Sequence, residues 1–130
     1  MPDYATVADL FARYAAAMDD NDFDMLRDVF TERSSFTVDI TGGPTVGPFN
    51  SREETVEFIQ TTTVEQQDQR RHVITNVRTE GDTAYGILSL FVTANGELTV
   101  QTTGVYKCGL GDEDGKTRFS SMYLTLDRAY

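Results

Sequence analysis

The sequence predicts an α+β fold in which three helices come first and a curved antiparallel sheet follows. Two observations carry this prediction: apolar residues recur at helical spacing up to about residue 30, and strand-like segments separated by turn residues fill the chain after Gln69. A chain of 130 residues has the length of one domain, so we expect residues 1–130 to form a single domain. Long strands that follow helices can curl around them, and we expect a cone-shaped sheet with an internal pocket.

The first two helices are predicted from spacing and capping residues. From Thr6, a plausible N-cap, apolar positions return every three or four residues as far as Met18. The polar run 19–22 ends this helix, and Asp22 can cap a second, short helix that would bury Leu26 and Val29.

A strand and a third helix are expected next. Residues 34–40 alternate between polar and apolar, as in a half-buried strand, whereas the glycines and prolines of 42–48 predict turns. Ser51 and Glu54 match a capping box, so a helix should follow that buries Val56 and Ile59, with Phe58 near its edge.

Four strands are predicted over 71–79, 83–93, 97–107 and 117–127. Asn95-Gly96 predicts a tight hairpin turn because both residues tolerate positive φ, and the glycine-rich segment 109–115 is expected to be an acidic loop. Several strands are apolar on both faces: Leu88 and Leu90 oppose Ile87 and Phe91, and Phe119 and Tyr123 are expected on the face opposite Met122. One face would cover the helices and the other a second subunit, so we expect a homodimer.

Composition limits the possible partners and sites. The formal net charge of −10 disfavours nucleic acid and membrane surfaces as partners. One cysteine, Cys108, and one histidine exclude an internal disulfide and argue against a metal centre. Neither an apolar run of membrane-spanning length nor a signal peptide is evident, so a cytoplasmic location is expected.

Several motifs, taken in order, resemble SnoaL-like proteins of the nuclear-transport-factor-2-like superfamily. The motifs are 14–26 (YAAAMDDNDFDML), 30–32 (FTE), 71–77 (RHVITNV), 80–84 (EGDTA) and 103–106 (TGVY). The resemblance covers essentially the whole chain. It implies a cystatin-like, cone-shaped α+β barrel with a deep pocket, often dimeric, and relatives that include scytalone dehydratase, ketosteroid isomerase, limonene epoxide hydrolase and polyketide cyclases.

The same resemblance implies a pair of working residues. The branch nearest to scytalone dehydratase carries an aspartate at the end of the first helix and a histidine early in the strand after the third helix, which match Asp19 and His72. Two positions depart from the pattern. Arg33 stands where relatives usually have aspartate, and Met18 occupies the place of one tyrosine that orients a carbonyl in scytalone dehydratase.

A histidine–aspartate pair suits general acid–base chemistry without a cofactor. A neutral imidazole, with an ordinary pKa of about 6.5, can remove a proton next to a carbonyl, and a carboxylate on its other nitrogen fixes the tautomer. The same imidazole could return the proton to a leaving hydroxyl. We therefore expect a dehydratase, cyclase or isomerase that acts on a small hydrophobic metabolite such as a polyketide or terpenoid. The residue types alone favour a structural role for His72 and Asp19, and it is the resemblance that favours a functional pair.

Six further residues are candidates for substrate binding. Tyr14 faces inward one turn before Met18, and Asn76 would share a strand face with His72 if strand alternation holds. The others are Tyr106, Tyr123, Phe36 and Phe58. Each tyrosine could instead be a core aromatic, Asn76 could instead close a backbone bond, and the phenylalanines could belong to a packed core.

The sequence is also compatible with other functions. Arg70 and Arg71 could attract an acidic substrate or simply pair with surface carboxylates. An epoxide hydrolase would require an Asp–Arg–Asp constellation in the pocket. A non-catalytic ligand carrier would share the cone, and a dimeric interaction module would have a filled core.

Overall fold

The computed structural model describes residues 2–129, which form three helices and a six-stranded sheet. The helices are α1 (Tyr4–Asp20), α2 (Phe23–Asp28) and α3 (Arg52–Thr63). The strands are β1 (Phe30–Ile40), β2 (Thr45–Phe49), β3 (Gln69–Glu80), β4 (Thr83–Ala94), β5 (Glu97–Glu113) and β6 (Lys116–Leu126). The predicted α+β class and the curved sheet packed on the helices are confirmed.

Capping residues set the helix ends, with one correction to the sequence-based prediction. α1 begins before Thr6, because the Asp3 carboxylate is the N-cap and accepts a 2.8 Å hydrogen bond from the Thr6 backbone N–H. That backbone hydrogen bond lowers the pKa of Asp3. The predicted caps of α2 and α3 are confirmed: Asp22 accepts from the Met25 N–H, and Ser51 accepts from the Glu54 N–H at 3.1 Å.

The sheet is mixed, and the expectation of a purely antiparallel sheet is wrong. Its strand order is β2-β1-β6-β5-β4-β3, and β1 runs parallel to β6. The chain leaves β1, forms β2 and α3, and returns through the β3–β6 meander, so its last strand lies beside its first. Phe36 and Val38 face Met122 and Leu124 across this parallel pair.

Two segments predicted as turns are partly strand. β2 pairs with β1 at the sheet edge, where Pro48 is tolerated because an edge residue need not donate to a neighbour. β5 extends to Glu113, which reduces the expected acidic loop to a tight turn at Asp114 and Gly115, both with positive φ. Asn95 and Gly96 also have positive φ and form the predicted hairpin turn.

An aromatic cluster fills the space between α1 and the sheet. Its buried members are Phe11, Tyr14, Phe30, Tyr106 and Phe119. The rings of Phe11 and Phe119 lie 5.1 Å apart, within the usual range for interacting aromatic pairs. Phe119 was expected on the same face as Tyr123, but a register shift at Gly109/Leu110 turns it into the core.

Among residues 2–129, no helix combines the length and apolar character needed to cross a membrane.

Candidate active site

A partly enclosed cavity of about 110 Å³ lies between α1, α3 and the concave side of the sheet. Its lining is mainly apolar and consists of Met18, Phe36, Val38, Phe58, Ile59, Leu88, Leu90, Leu124 and Leu126. The rest of the lining consists of polar residues, namely Tyr14, Thr62, Thr63, Gln66, Arg70 and His72. An apolar cavity with a few convergent polar groups is the usual form of a small-molecule site.

The structure brings His72, which lines this cavity, into direct contact with Asp19, which lies behind it toward an outer groove between α1 and β3. His72 Nδ1 lies 2.7 Å from Asp19 Oδ1, and the two side chains are only 7% and 10% exposed. Because a carboxylate only accepts hydrogen bonds, Nδ1 is the donor, and Nε2 of the neutral ring is left as an acceptor.

The local fold explains why this contact is well defined. Asp19 lies in the last turn of α1, two residues before the left-handed residue Asn21 that ends the helix, and His72 lies near the start of β3. Asp19 Oδ1 also accepts a 2.8 Å hydrogen bond from the His72 backbone N–H. One oxygen thus holds both the strand and the imidazole, which restricts rotation of the ring.

Three of the other expected residues lie at the cavity and one lies behind it. Tyr14, Phe36 and Phe58 line the cavity. Tyr106 is fully buried, and its hydroxyl lies 3.2 Å from that of Tyr14. The Tyr14 ring also meets the His72 ring edge-on, at a centroid distance of 6.3 Å.

Asn76 and Tyr123 lie outside the cavity, contrary to expectation. Asn76 adopts a positive φ of 55° within a register shift between Thr75 and Arg78, so strand alternation from His72 does not continue to it. Asn76 is exposed beside an outer groove between α1 and β3. Tyr123 is 43% exposed on the outer face of the sheet, and its hydroxyl lies 3.4 Å from Asp39 Oδ2.

The polar side chains of α3 and its C-terminal end were not anticipated from sequence. Thr62, Thr63 and Gln66 reach the cavity, but a threonine and glutamine run on an amphipathic helix carries no signal that separates it from a solvent face. Arg70 also lines the cavity, whereas Arg71 is exposed. Strand alternation with His72 is the signal that could have separated these two arginines.

Within residues 2–129, no three His, Cys, Asp or Glu side chains are grouped so that they could hold a metal ion. Cys108 is fully buried, and burial raises the pKa of its thiol. A buried neutral thiol is a poor nucleophile.

Solved structures with the same architecture come from several bacteria. A protein from Catenulispora acidiphila, solved in complex with S-DNPA, is 25% identical, with a TM-score of 0.81 and coverage of 95% of this chain and 92% of that chain. ActVI-ORFA from Streptomyces coelicolor is 20% identical, with a TM-score of 0.80 and coverage of 95% and 97%. An NTF2-like protein with a cystatin-like fold from Novosphingobium aromaticivorans is 22% identical, with a TM-score of 0.76 and coverage of 95% and 81%.

No curated protein matches this sequence. The family model of the SnoaL-like domain matches residues 1–123, nearly the whole chain. With the cone of helices and curved sheet and the structural relatives above, this match shows that the chain belongs to the SnoaL-like family of the nuclear-transport-factor-2-like superfamily.

Proposed function

We propose that this protein is a cofactor-independent general acid–base enzyme that acts on a small hydrophobic metabolite by dehydration, ring closure or a double-bond shift. The observation that supports it best is the His72 imidazole, hydrogen-bonded to Asp19 at 2.7 Å and bordering an apolar cavity. Family membership and the similarity to the S-DNPA complex are consistent with this proposal.

In the proposed mechanism, His72 Nε2 takes a proton from a carbon next to a carbonyl. The electron pair of the broken C–H bond moves into an enol-like system, and the carboxylate of Asp19 stabilises the imidazolium that forms. The imidazolium then gives its proton to a leaving hydroxyl in a dehydration, or to another carbon in a double-bond shift. In a ring closure, the enol-like carbon forms a bond to a second carbonyl carbon of the substrate, and the proton goes to the oxygen of that carbonyl. Tyr14 would bind the carbonyl oxygen.

The size of the cavity supports a compact substrate. A cavity of about 150 Å³ in another protein binds benzene, so the enclosed volume of about 110 Å³ holds no more than a single ring, and the rest of a substrate would extend through the partly open side. A larger polyketide or terpenoid would have to displace flexible lining side chains such as Met18 or Gln66.

Two of the competing functions have less support. Epoxide opening by an Asp–Arg–Asp constellation needs carboxylates in the pocket, yet within residues 2–129 the cavity is lined by none. An interaction module with a filled core does not fit a chain that retains this cavity. A ligand carrier has the same geometry as the proposed enzyme and must be separated from it by experiment.

Deuterium uptake separates an enzyme from a carrier without knowledge of the natural substrate. Phenylacetone, a single-ring ketone, would be incubated with the protein in D₂O and followed by NMR at the carbon between ring and carbonyl. We expect the wild type to accelerate exchange, and His72→Gln to reduce that acceleration by about 10²-fold or more. The exposed Asp20→Asn variant is the matched control.

Binding of phenylacetone measured in parallel decides the outcome. Bound ketone with no accelerated exchange in the wild type would contradict the enzyme and favour the carrier. Equal acceleration by His72→Gln would remove this residue from the mechanism.

We also propose that the chain forms a homodimer through the outer face of the sheet. Exposed apolar side chains from adjacent strands gather there: Val73 on β3, Ile87 on β4, Val105 on β5 and Tyr123 on β6. Ile87 and Val105 are direct cross-strand neighbours. Sedimentation equilibrium should give a dimer for the wild type and a monomer for Val105→Lys. Val64→Lys, at an exposed position at the end of α3, is the control and should remain a dimer. A monomeric wild type would refute this proposal.

A further inference from the structure

We propose that Arg70 is the anion-binding residue of the cavity and that the substrate is an apolar molecule that carries a carboxylate. This inference rests on the proposed function in one respect, namely that the cavity is the substrate site. It adds the substrate class, which neither the family match nor the His72–Asp19 pair specifies.

Arg70 is placed where it can meet a ligand beside the imidazole. It lies two residues before His72 on β3, so both side chains project from the same face of the strand. Both line the cavity, and the Arg70 side chain is only 8% exposed. A guanidinium withdrawn from water to this degree needs compensating hydrogen bonds and an opposite charge.

The protein compensates this guanidinium incompletely. Its Nη2 donates a 2.9 Å hydrogen bond to the neutral Asn21 Oδ1. Its Nε lies 3.5 Å from Asp68 Oδ1, and both of these buried atoms lack a hydrogen-bond partner. Well-formed guanidinium–carboxylate pairs are closer, at about 2.7–2.9 Å, and are often bidentate. A ligand carboxylate would supply the partner that Asp68 supplies poorly.

Arg70 is a local positive charge in an acidic protein. The chain carries a net charge of −10, which repels anionic ligands at long range, so an anion could bind only where a positive side chain faces it directly. Among the described residues, Arg70 is the one lysine or arginine that lines the cavity, and the other lining residues are apolar or uncharged, apart from the titratable His72 and Tyr14. A guanidinium in such surroundings interacts strongly with a carboxylate because water screens the pair little.

An anchored carboxylate would also select the carbon that reacts. Arg70 and His72 lie on one strand, so a ligand held at the guanidinium presents a fixed part of its skeleton to the imidazole. Arg70 is therefore a positioning residue, and His72 remains the group that moves the proton.

The test compares two probes that differ in charge and hardly in shape. Phenylacetate and phenylacetamide would be titrated into the wild type by calorimetry. We expect phenylacetate to bind about tenfold or more tightly, as a charge-assisted contact requires. Equal affinities, or tighter binding of the amide, would overturn the proposal.

Variants assign the preference to one side chain. Arg70→Met should abolish the preference for phenylacetate, whereas Arg71→Met, its exposed neighbour, should retain it. Asp68→Asn should raise phenylacetate affinity several-fold, because it removes the competing carboxylate. This variant keeps the proposal testable even if Arg70→Met fails to fold, since a purely structural Arg70–Asp68 pair would give no gain in affinity.

The outcome is separable from that of the proposed function. Deuterium exchange into neutral phenylacetone tests His72 and does not require Arg70. Exchange without a carboxylate preference would refute only the role of Arg70. A preference that persists in His72→Gln, without exchange in the wild type, would indicate a carrier of acidic ligands.

Discussion

At the scale of single residues, the site depends on one oxygen atom. Asp19 Oδ1 accepts from both the backbone N–H and the ring Nδ1 of His72. A single acceptor therefore joins helix α1 to strand β3 and orients the imidazole. This explains how the fold holds the single histidine in a defined tautomer.

Asp19→Ala should change both the tautomer of His72 and the stability of the protein. Loss of the acceptor frees the ring, so the Nε2–H form, which is favoured in water, should appear in the long-range ¹H–¹⁵N spectrum of the only histidine. It also leaves the partly buried backbone N–H of His72 without this partner, which should cost about 1 kcal/mol of unfolding free energy.

Asp20→Ala is the control, because the neighbouring side chain is exposed and should change stability by about 0.5 kcal/mol or less. An unchanged tautomer in Asp19→Ala would contradict the orienting role of this carboxylate.

At the scale of secondary-structure elements, the distance between neighbouring strands limits which residues they can carry, and the register of the strands decides which side chains face the interior. At Gly104, on β5, an added Cβ would lie 2.5 Å from the Thr125 carbonyl oxygen of β6. The register shift in β3 turns Asn76 outward, and the one between β5 and β6 turns Phe119 inward. A shift of one residue exchanges the two faces of a strand, so bulges redefine which side chains are internal.

Gly104→Ala should destabilise the protein by about 1–3 kcal/mol, because the new methyl group meets a backbone atom that cannot move aside. Chemical denaturation measures this directly. Gly111→Ala on the same strand is the matched control, since its Cβ would make only ordinary contacts of 3.4 Å or more. Equal stabilities of the two variants would show that β5 and β6 can separate at Gly104.

At the scale of the whole molecule, a cluster of charged side chains links strands β1, β5 and β6 with helix α3. Glu113 at the end of β5 accepts a 2.9 Å hydrogen bond from the Glu32 N–H of β1 and contacts Arg52 of α3 and Arg118 of β6. The hydrogen bond from Glu32, with smaller contributions from the two arginines, lowers the pKa of Glu113 despite opposing desolvation.

Stability should therefore fall with acid in a way that Glu113 controls. Because the folded-state pKa lies below the unfolded one, the contribution of this carboxylate is present above the ordinary pKa of about 4.5 and is lost as pH falls through the folded-state value. Thermal unfolding of wild type and Glu113→Gln should differ at pH 7, and the difference should shrink toward pH 3. A difference that is constant with pH would show that the ionised form is not preferred by folding.

Much of the fold follows from local sequence signals. The capping aspartate and serine of α2 and α3, the Asn95-Gly96 turn and the alternation of β1 predict their elements correctly because each depends on a few neighbouring residues. β2 and the last part of β5 were missed, since glycines and prolines that normally mark turns occur there in strands held by partners distant in sequence. The pairing of His72 with Asp19 is predicted by the resemblance, whereas the residue types alone favour a structural role for both.

The sequence by itself determined the α+β class, the caps of α2 and α3, the hairpin at Asn95-Gly96 and the presence of a single histidine. Only the tertiary structure decided that β1 runs parallel to β6 and that Asn76 and Tyr123 lie outside the cavity. The first group depends on hydrogen bonds and dihedral angles within a few residues. The second depends on pairing between strands far apart in the chain, where a single bulge reverses a side chain and no local pattern records it.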